Sequence, residues 1–397
     1  MSPLKHHFYM VVVSSTFFIL TSDKTHAQDG ITTALSQSKV SVQLRARYET
    51  VDQEGITDNA DAFTLKSRLT VKTGSFQGFS FTAEVDNVTA IVEDYNSTDN
   101  GKSNYPVIAD PEGTDINLAA MQLKKDKLAI TIGRQRILHH NQRFVGGVGW
   151  RQNEQTYDGY RVQYDLNKKI AFDYSYIHNI NRIFSPNSSR ADLHGAFHLS
   201  NINYQLAEQH QLTGYSYNLG FDTAAALSSS TFGISYKGTF NALNVYASFA
   251  SQSDSENNPN SFDTSYVNVE LGSKMAGMKW LVGYEELGSD NGVGFSTPLA
   301  TLHKFQGFND KFLATPSNGI RDLYITGKTT LANVALSATF HDLSSSEGSI
   351  DYGTELDVTA GYKISSNYSV LLKWAAYNAN EHASDTNKLW LQLAAKF

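Results

Sequence analysis

The stretch Lys39-Val-Ser-Val-Gln-Leu-Arg-Ala-Arg-Tyr-Glu49 decides the fold, because its side chains alternate between two chemical classes. The apolar positions are Val40, Val42, Leu44, Ala46 and Tyr48. The polar positions between them are Ser41, Gln43, Arg45 and Arg47. A period of two is that of a β-strand, whose successive side chains point to opposite faces. The stretch therefore predicts a strand with one apolar and one charged face.

The same alternation recurs along the chain. It predicts eighteen strands at about 39–49, 62–73, 77–87, 115–124, 127–137, 156–166, 169–179, 194–206, 209–220, 228–240, 243–252, 264–275, 278–288, 320–332, 335–345, 353–364, 367–379 and 387–397. Tight turns alternate with longer links, of which the longest are 88–114, 138–155 and 289–319. Tilted strands of roughly ten residues, with short turns at one rim and long loops at the other, are typical of outer-membrane barrels. We therefore predict an all-β fold, a transmembrane antiparallel up-and-down barrel.

Two further patterns agree with a barrel. Proline cannot donate to a strand ladder, and six of the seven prolines fall in the longer links, at Pro106, Pro111, Pro186, Pro259, Pro298 and Pro316. The last segment is apolar at every second position and ends in Phe397. That ending resembles the terminal strand by which the outer-membrane assembly machinery recognises its clients. We expect this machinery and the membrane lipid to be partners of the chain.

The first residues predict export from the cytoplasm. Lys5, His6 and His7 precede an apolar run over residues 8–20, and the segment closes at Ala27. Thirteen apolar residues suit the core of a signal peptide and fall short of the roughly 20 that span a bilayer as a helix. We predict a signal peptide over residues 1–27, a barrel domain over residues 28–397, and the outer membrane of a Gram-negative bacterium as the location.

Composition excludes several classes of function. The 397 residues include no cysteine, which rules out disulfides, thiolate nucleophiles and thiolate-held cofactors. The formal net charge of −7 argues against a nucleic-acid partner. The acid-rich stretch 254–263 matches no known calcium loop, so we predict no metal and no cofactor.

An eighteen-stranded barrel encloses a lumen too wide for side chains alone to fill, so an aqueous channel is expected. Alternation places four cations of the first two strands inside it, namely Arg45, Arg47, Lys66 and Arg68. The third strand contributes Glu84 and Asp86. Opposed charges would set a field across the pore. The alternative is that they are wall charges that pair with one another and bind no solute.

The segment around residues 133–161 is rich in arginine and glycine. It reads Gly133-Arg-Gln-Arg-Ile137, Arg143-Phe-Val-Gly-Gly147, Trp150-Arg-Gln-Asn153 and Thr156-Tyr-Asp-Gly-Tyr-Arg161. These motifs resemble the alginate-export family of outer-membrane channels. The resemblance implies an eighteen-stranded barrel with an arginine-rich conduit for an anionic polysaccharide, lined here by Arg134, Arg136, Arg143, Arg151 and Arg161. A guanidinium stays charged and can hold a carboxylate through two hydrogen bonds.

Arg134 and Arg136 share parity with the apolar Ile130 and Ile132. We therefore expect a bulge near Gly133 to turn both arginines inward. The links 88–114 and 289–319 either fold into the pore or cover its rim.

We predict a passive channel for hydrophilic solutes or oligosaccharides, including anionic ones. The alternative is a general diffusion porin with no preferred solute. Catalysis is not predicted, because His139 and His140 have no Gly-Xaa-Ser-Xaa-Gly elbow, and adjacent strand residues point to opposite faces. One of three acids, Asp254, Asp290 or Asp322, would form an acid/base pair with a histidine only if folding brought the two together.

Overall fold

The computed structural model describes residues 24–397, with side chains from Gly30 onward. Eighteen antiparallel strands form one sheet in which each strand pairs with its neighbour in the chain. The first strand also pairs with the last, for example Tyr48 with Leu391, so the sheet is closed. The predicted eighteen-stranded up-and-down barrel is confirmed.

We number all strands in chain order, including a two-residue hairpin, β14 and β15, inside one loop. The bounds are β1 Lys39–Gln53, β2 Ala60–Lys72, β3 Phe79–Asp94, β4 Gly113–Lys125, β5 Leu128–Gln135, β6 Thr156–Asp165, β7 Ile170–Asn181, β8 Asp192–Ala207, β9 His210–Phe221, β10 Ser229–Phe240, β11 Leu243–Asp254, β12 Asp263–Met275, β13 Met278–Leu287, β14 Ser289–Asp290, β15 Val293–Gly294, β16 Ile320–Leu331, β17 Val334–Ser344, β18 Asp351–Lys363, β19 Tyr368–Ala379 and β20 Thr386–Lys396. The described part of the chain has one α-helix, α1, at Lys24–Ser36, and short 3-10 turns at Ala225–Leu227 and Leu302–Lys304. Within residues 24–397, no helix is long and apolar enough to cross a membrane.

The connections alternate in length as predicted. One end of the barrel, the turn rim, carries the short connections, and the other, the loop rim, carries the long segments 95–112, 136–155 and 288–319. The six prolines noted above all lie in loops at the loop rim. Several predicted boundaries are wrong by a few residues, and the largest error is at β3, which continues to Asp94 instead of ending at residue 87. Its extra residues stay paired with β2 up to Asp61, past a register shift at Phe63.

The outer surface of the barrel is apolar, and the charged side chains of the wall are concentrated on its inner surface. Outward positions such as Phe249, Ile325 and Leu391 are 51%, 44% and 50% exposed. On the inner face, charged groups such as Glu285 and Glu355 are buried. This inverted distribution is that of a protein surrounded by lipid.

The predicted signal-peptide core, residues 8–20, lies outside the described residues. Helix α1 covers the predicted cleavage position at Gln28. It lies against the first turn of the turn rim, where the Gly74 amide donates to the Ala34 carbonyl at 2.9 Å.

Two loops fill much of the lumen. We call residues 136–155 loop A and residues 288–319 loop B. Their apolar side chains, including Val145, Leu299 and Phe312, are buried against inward wall residues such as Tyr157 and Tyr377. The main apolar core of the molecule therefore lies inside the barrel, between the loops and the wall. Of the two placements left open for the link 289–319, the structure has the inward one.

Candidate functional site

Loops A and B are joined backbone to backbone. The Gly146 amide donates to the Leu299 carbonyl at 2.8 Å, and the Thr301 amide donates to the Gln142 carbonyl at 3.0 Å. A Cβ atom on Gly146 would lie 2.2 Å from the Thr301 hydroxyl oxygen. Only glycine fits this approach, so the two loops form one unit.

Arg151 anchors this unit to the wall. Its guanidinium lies 3.2 Å from Glu49 of β1, 3.7 Å from Asp110 and 2.9 Å from Asp310 of loop B. All four side chains are buried, and the carboxylates hold the pKa of Arg151 above its ordinary value although burial lowers it. One guanidinium therefore connects loop A, loop B, the segment 95–112 and strand β1.

Arg45 and Arg47 of β1 hold the same part of loop A. Arg45 donates to the Gln152 side chain at 2.8 Å and to backbone oxygens of Gly149 and Arg151. Arg47 lies 4.0 Å from the centre of the Trp150 ring and donates to the Trp150 carbonyl at 2.6 Å. Each nitrogen of the Arg45 guanidinium therefore bonds loop A, and Arg47 binds the same loop through Trp150.

A second cluster gathers three acids and three cations. Glu84, Asp86 and Glu154 converge with carboxylate oxygens within 4.8 Å of one another. Lys66, Arg68 and Arg136 neutralise them, with Arg68 at 2.6 Å from Asp86 and Arg136 at 2.6 Å from Glu154. Burial opposes ionisation of Glu154, but Arg136, Arg68 and Lys66 outweigh it and lower the pKa of Glu154 to about 2. The cluster ties loop A to β2 and β3.

Three further arginines of the motif segment have separate partners. Arg143 lies 3.2 Å from Glu285, and Arg161 forms a bidentate pair with Asp173. Arg134 pairs with Asp158 at 2.9 Å, on the face that carries the exposed Ile132. Of the nine predicted site residues, only Arg45 has no carboxylate within 4.0 Å in the described chain.

The expected bulge near Gly133 is wrong. Gly133 and Arg134 stay in register with Gly159 and Asp158 of β6, so Arg134 keeps its outward parity. Arg136 turns inward because β5 ends at Gln135. The register shift lies instead on the other side of β6, between Asp158 and Gly159.

His303 of loop B, which sequence reasoning missed, completes the contact with the wall. Its ring stacks on Trp150 of loop A at 5.1 Å between centroids. Its Nδ1 lies 2.7 Å from Asp310 and its Nε2 lies 2.6 Å from the Lys373 ammonium of β19. Burial lowers the pKa of His303 to about 3. The ring is therefore neutral, so Nδ1–H donates to Asp310 and Nε2 accepts from Lys373.

Beside loop B lies a cavity of about 1210 Å³, bounded by the wall strands β9–β13 and β16–β18. Five lysines line it: Lys237, Lys274, Lys279, Lys304 and Lys328. None of these has a carboxylate oxygen within 4.0 Å among residues 24–397. We call Lys274, Lys279 and Lys328 the lysine row, because Lys279 stands directly opposite the other two in the sheet.

The acids of the same cavity already have partners. Glu285 pairs with Arg143, and Glu270 accepts from the Tyr324 hydroxyl at 2.7 Å. Asp322 contacts His341 at 2.9 Å. Asp357, which also lines the cavity, lies 3.7 Å from the other nitrogen of His341. Glu270 is hydrogen-bonded but has no cation within 4.0 Å in the described chain, so the five lysines without an acid outnumber the one acid without a cation.

The histidines do not form a catalytic triad in the described chain. Folding does bring Asp322 to His341, but no serine or threonine hydroxyl hydrogen-bonds to that ring. The prediction that His139 and His140 point to opposite faces is wrong, because both lie in a loop and both contact Asn201, at 2.7 Å each.

A family model described as alginate export matches residues 36–280 of the chain. No curated protein sequence matches significantly. Among solved structures, Pseudomonas aeruginosa OccK3 (OpdO) is similar over 93% of this chain and 98% of its own, with a TM-score of 0.71 at 13% identity. Pseudomonas aeruginosa OpdK with vanillate is similar over 91% and 99%, with a TM-score of 0.71 at 15% identity. Acinetobacter baumannii OccAB4 is similar over 91% and 98%, with a TM-score of 0.68 at 12% identity.

Proposed function

We propose that this chain, which belongs to the alginate export family of outer-membrane channels, lets small hydrophilic anions diffuse passively through its lumen. The solutes are carboxylates, including acidic sugars and short acidic oligosaccharides. The observation that carries the proposal is the lysine row, whose three ammonium groups face the lumenal cavity without carboxylate partners.

Without a bound anion, the lysine row destabilises the barrel. Like charges directly opposite each other on neighbouring strands destabilise a sheet. An anion in the cavity would relieve that repulsion and would meet exposed, hydrated ammonium groups. Such contacts are weak singly, which allows a solute to enter and also to leave.

The size of the cavity supports solutes larger than a single small ion. Its volume of about 1210 Å³ exceeds the roughly 300–1,000 Å³ of ordinary small-molecule pockets. The similar OpdK structure was solved with vanillate, which is a carboxylate. Both observations agree with an organic anion as the solute.

The predicted role of the arginines in solute binding stays a prediction. Arg47, Arg143 and Arg151 are buried and bonded to acids, aromatic rings or loop backbone. We propose that these three hold the constricting loops and that solute contacts the lysines. A general porin remains the second candidate, because the cavity also contains Glu270 and Asp322.

Single-channel conductance in planar bilayers under a salt gradient tests the proposal. We expect a reversal potential of anion-selective sign, and a concentration-dependent block when oligouronates are added. Open, weakly selective conductance without block would replace the proposal by a general porin. Absence of conductance would contradict both.

A further inference from the structure

The turn rim carries a dense group of lysines outside the lumenal site. Two neighbouring turns, between β4 and β5 and between β6 and β7, bear Lys124, Lys125, Lys127, Lys168 and Lys169. We call these five residues the turn patch. The same turns contain two acids, Asp126 and Asp165. The turn patch therefore has a net positive charge on a chain that is acidic as a whole.

The two turns are bonded into one surface. The Asp165 amide donates to the Lys127 carbonyl at 2.9 Å, and the Lys127 ammonium donates to the Leu166 carbonyl at 3.0 Å. All five lysines are exposed. Within the described part of the chain, none of the five lies within 4.0 Å of a carboxylate oxygen. Apart from the bond of Lys127 to the Leu166 carbonyl, no hydrogen bond or ion pair of the described chain involves the ammonium groups of these lysines.

The turn patch adjoins the lipid-facing band of the barrel. Met121, Tyr164, Leu166 and Phe172 lie within a few residues of the lysines and are 46%, 40%, 44% and 41% exposed. Aromatic rings near strand ends mark the membrane–water interface of barrels. Lysine stems lie along apolar surface while their ammonium groups reach the headgroup level. Exposed lysines beside such a band are the arrangement expected at the depth of lipid phosphates.

We propose that the turn patch binds the headgroups of anionic glycerophospholipids in the leaflet at the turn rim. Clustered lysines beside a bilayer favour anionic over zwitterionic headgroups, by about 1 kcal/mol or roughly fivefold in binding for each charge. The pairing of exposed cations with an adjoining apolar, aromatic band suits a lipid, which presents phosphate and acyl chain together. A soluble acidic protein would contact the lysines but would not contact the apolar, aromatic band. The proposal does not depend on which solute passes through the lumen.

Native mass spectrometry of the full chain in detergent tests this, with phosphatidylglycerol and phosphatidylcholine of identical acyl chains present in equal amounts. The patch variant changes the five lysines to glutamine, which keeps a donor for the Leu166 carbonyl. The matched control changes five lumenal lysines to glutamine: Lys237, Lys274, Lys279, Lys304 and Lys328.

We expect the wild-type chain to retain phosphatidylglycerol preferentially, and more weakly as salt is added. We expect the patch variant to lose that preference by about tenfold or more, while the control keeps it. Unchanged single-channel conductance of the patch variant establishes that its barrel is folded. Equal retention of the two lipids by the wild type, or the same loss of preference in patch variant and control, would overturn the proposal.

Discussion

The lumen has two sides that treat positive charge differently. On the side of β1, β2 and loop A, guanidinium groups such as Arg47 and Arg151 are buried and bonded to carboxylates, rings or backbone. On the side of β12, β13 and β16, Lys279 and Lys328 are exposed and lack such partners in the described chain. The number of cations in a lumen therefore does not measure the charge that a solute meets.

The physical difference follows from the two side chains and their burial. Arginine offers a rigid fork of donors that suits several simultaneous bonds, so it can organise a buried loop. An exposed ammonium is compact and strongly hydrated, so it contacts an anion without holding it. The arginines therefore suit the anchoring of loops, and the lysines suit brief contacts with passing anions.

Arg151→Ala tests the arginine side and has the largest expected effect on stability. It leaves Glu49 and Asp310 buried without their shared cation, and removing one partner of a buried pair costs about 3–5 kcal/mol. We expect loops A and B to loosen, the single-channel conductance to rise and the free energy of unfolding in guanidinium chloride to fall. Arg161→Ala is the control, because its partner Asp173 lies on β7 and has no hydrogen bond or ion pair to either loop in the described chain. Wild-type conductance of the Arg151 variant would refute the anchoring role.

Gly146→Ala acts on the contact between the loops without changing charge. The added methyl would meet Thr301 at 2.2 Å, and such overpacking costs about 1–3 kcal/mol. We expect a higher conductance and a lower unfolding midpoint. Gly149→Ala in the same loop is the control, since the atom nearest to its added methyl group would be a Glu154 carboxylate oxygen at 3.8 Å, an ordinary contact distance. If the two variants behave alike, the close approach at Gly146 does not hold the loops together.

Acid weakens the anchoring of loop B through His303. Its pKa is about 3 in the folded chain and 6.5 ordinarily. The folded state thus binds fewer protons than the unfolded state between these values. The stabilisation that the neutral His303 ring gives is therefore complete above pH 6.5. It is lost as pH falls, by on the order of 1 kcal/mol per pH unit. Glu154, with a pKa of about 2, stays ionised over most of this interval.

We expect conductance to rise on acidification from about pH 7.5 to about pH 5, across the ordinary histidine pKa. His303→Gln removes the titrating ring and should flatten that dependence. A pH response of the same size in the variant would assign the effect to other groups. Asp310, Lys373 and Arg151 are the charged groups that face His303.

Lys279→Gln tests the lysine side and has the smallest expected effect on stability. Unlike the substitutions above, it should stabilise the protein. It removes repulsion from Lys274 and Lys328, and we expect a gain of about 0.2–1 kcal/mol in the free energy of unfolding. Lys66→Gln is the contrast. It removes the ion pair of Lys66 with Asp86 at 3.0 Å, so we expect it to lower the free energy of unfolding. A destabilised Lys279 variant would mean that this lysine has a structural partner after all.

The barrel could be predicted from the sequence because alternation is a local property. Each strand shows its two faces within about ten residues, so the strand count and the alternating connections needed no knowledge of distant residues. The extension of β3 to Asp94 was missed, because it depends on pairing with Asp61 across a register shift.

The functional use of the charges was not predictable in the same way. Arg151 and Glu49 are separated by 102 positions, and nothing local indicates that loop A turns inward to join them. The lysine row depends on the register of three strands, and Lys328 is far from Lys279 in the chain. His303 lies in a loop without a motif, and its role arises only where both loops meet the wall.

The reversal potential of single channels under a salt gradient tests the central claim most directly, in a variant with Lys279→Gln and Lys328→Gln and in a second variant with Arg161→Ala. The account predicts that the lysine variant loses the anion preference of the wild type while the arginine variant keeps it. Loss of the preference in the arginine variant, with the lysine variant unchanged, would contradict the account and return solute binding to the arginines.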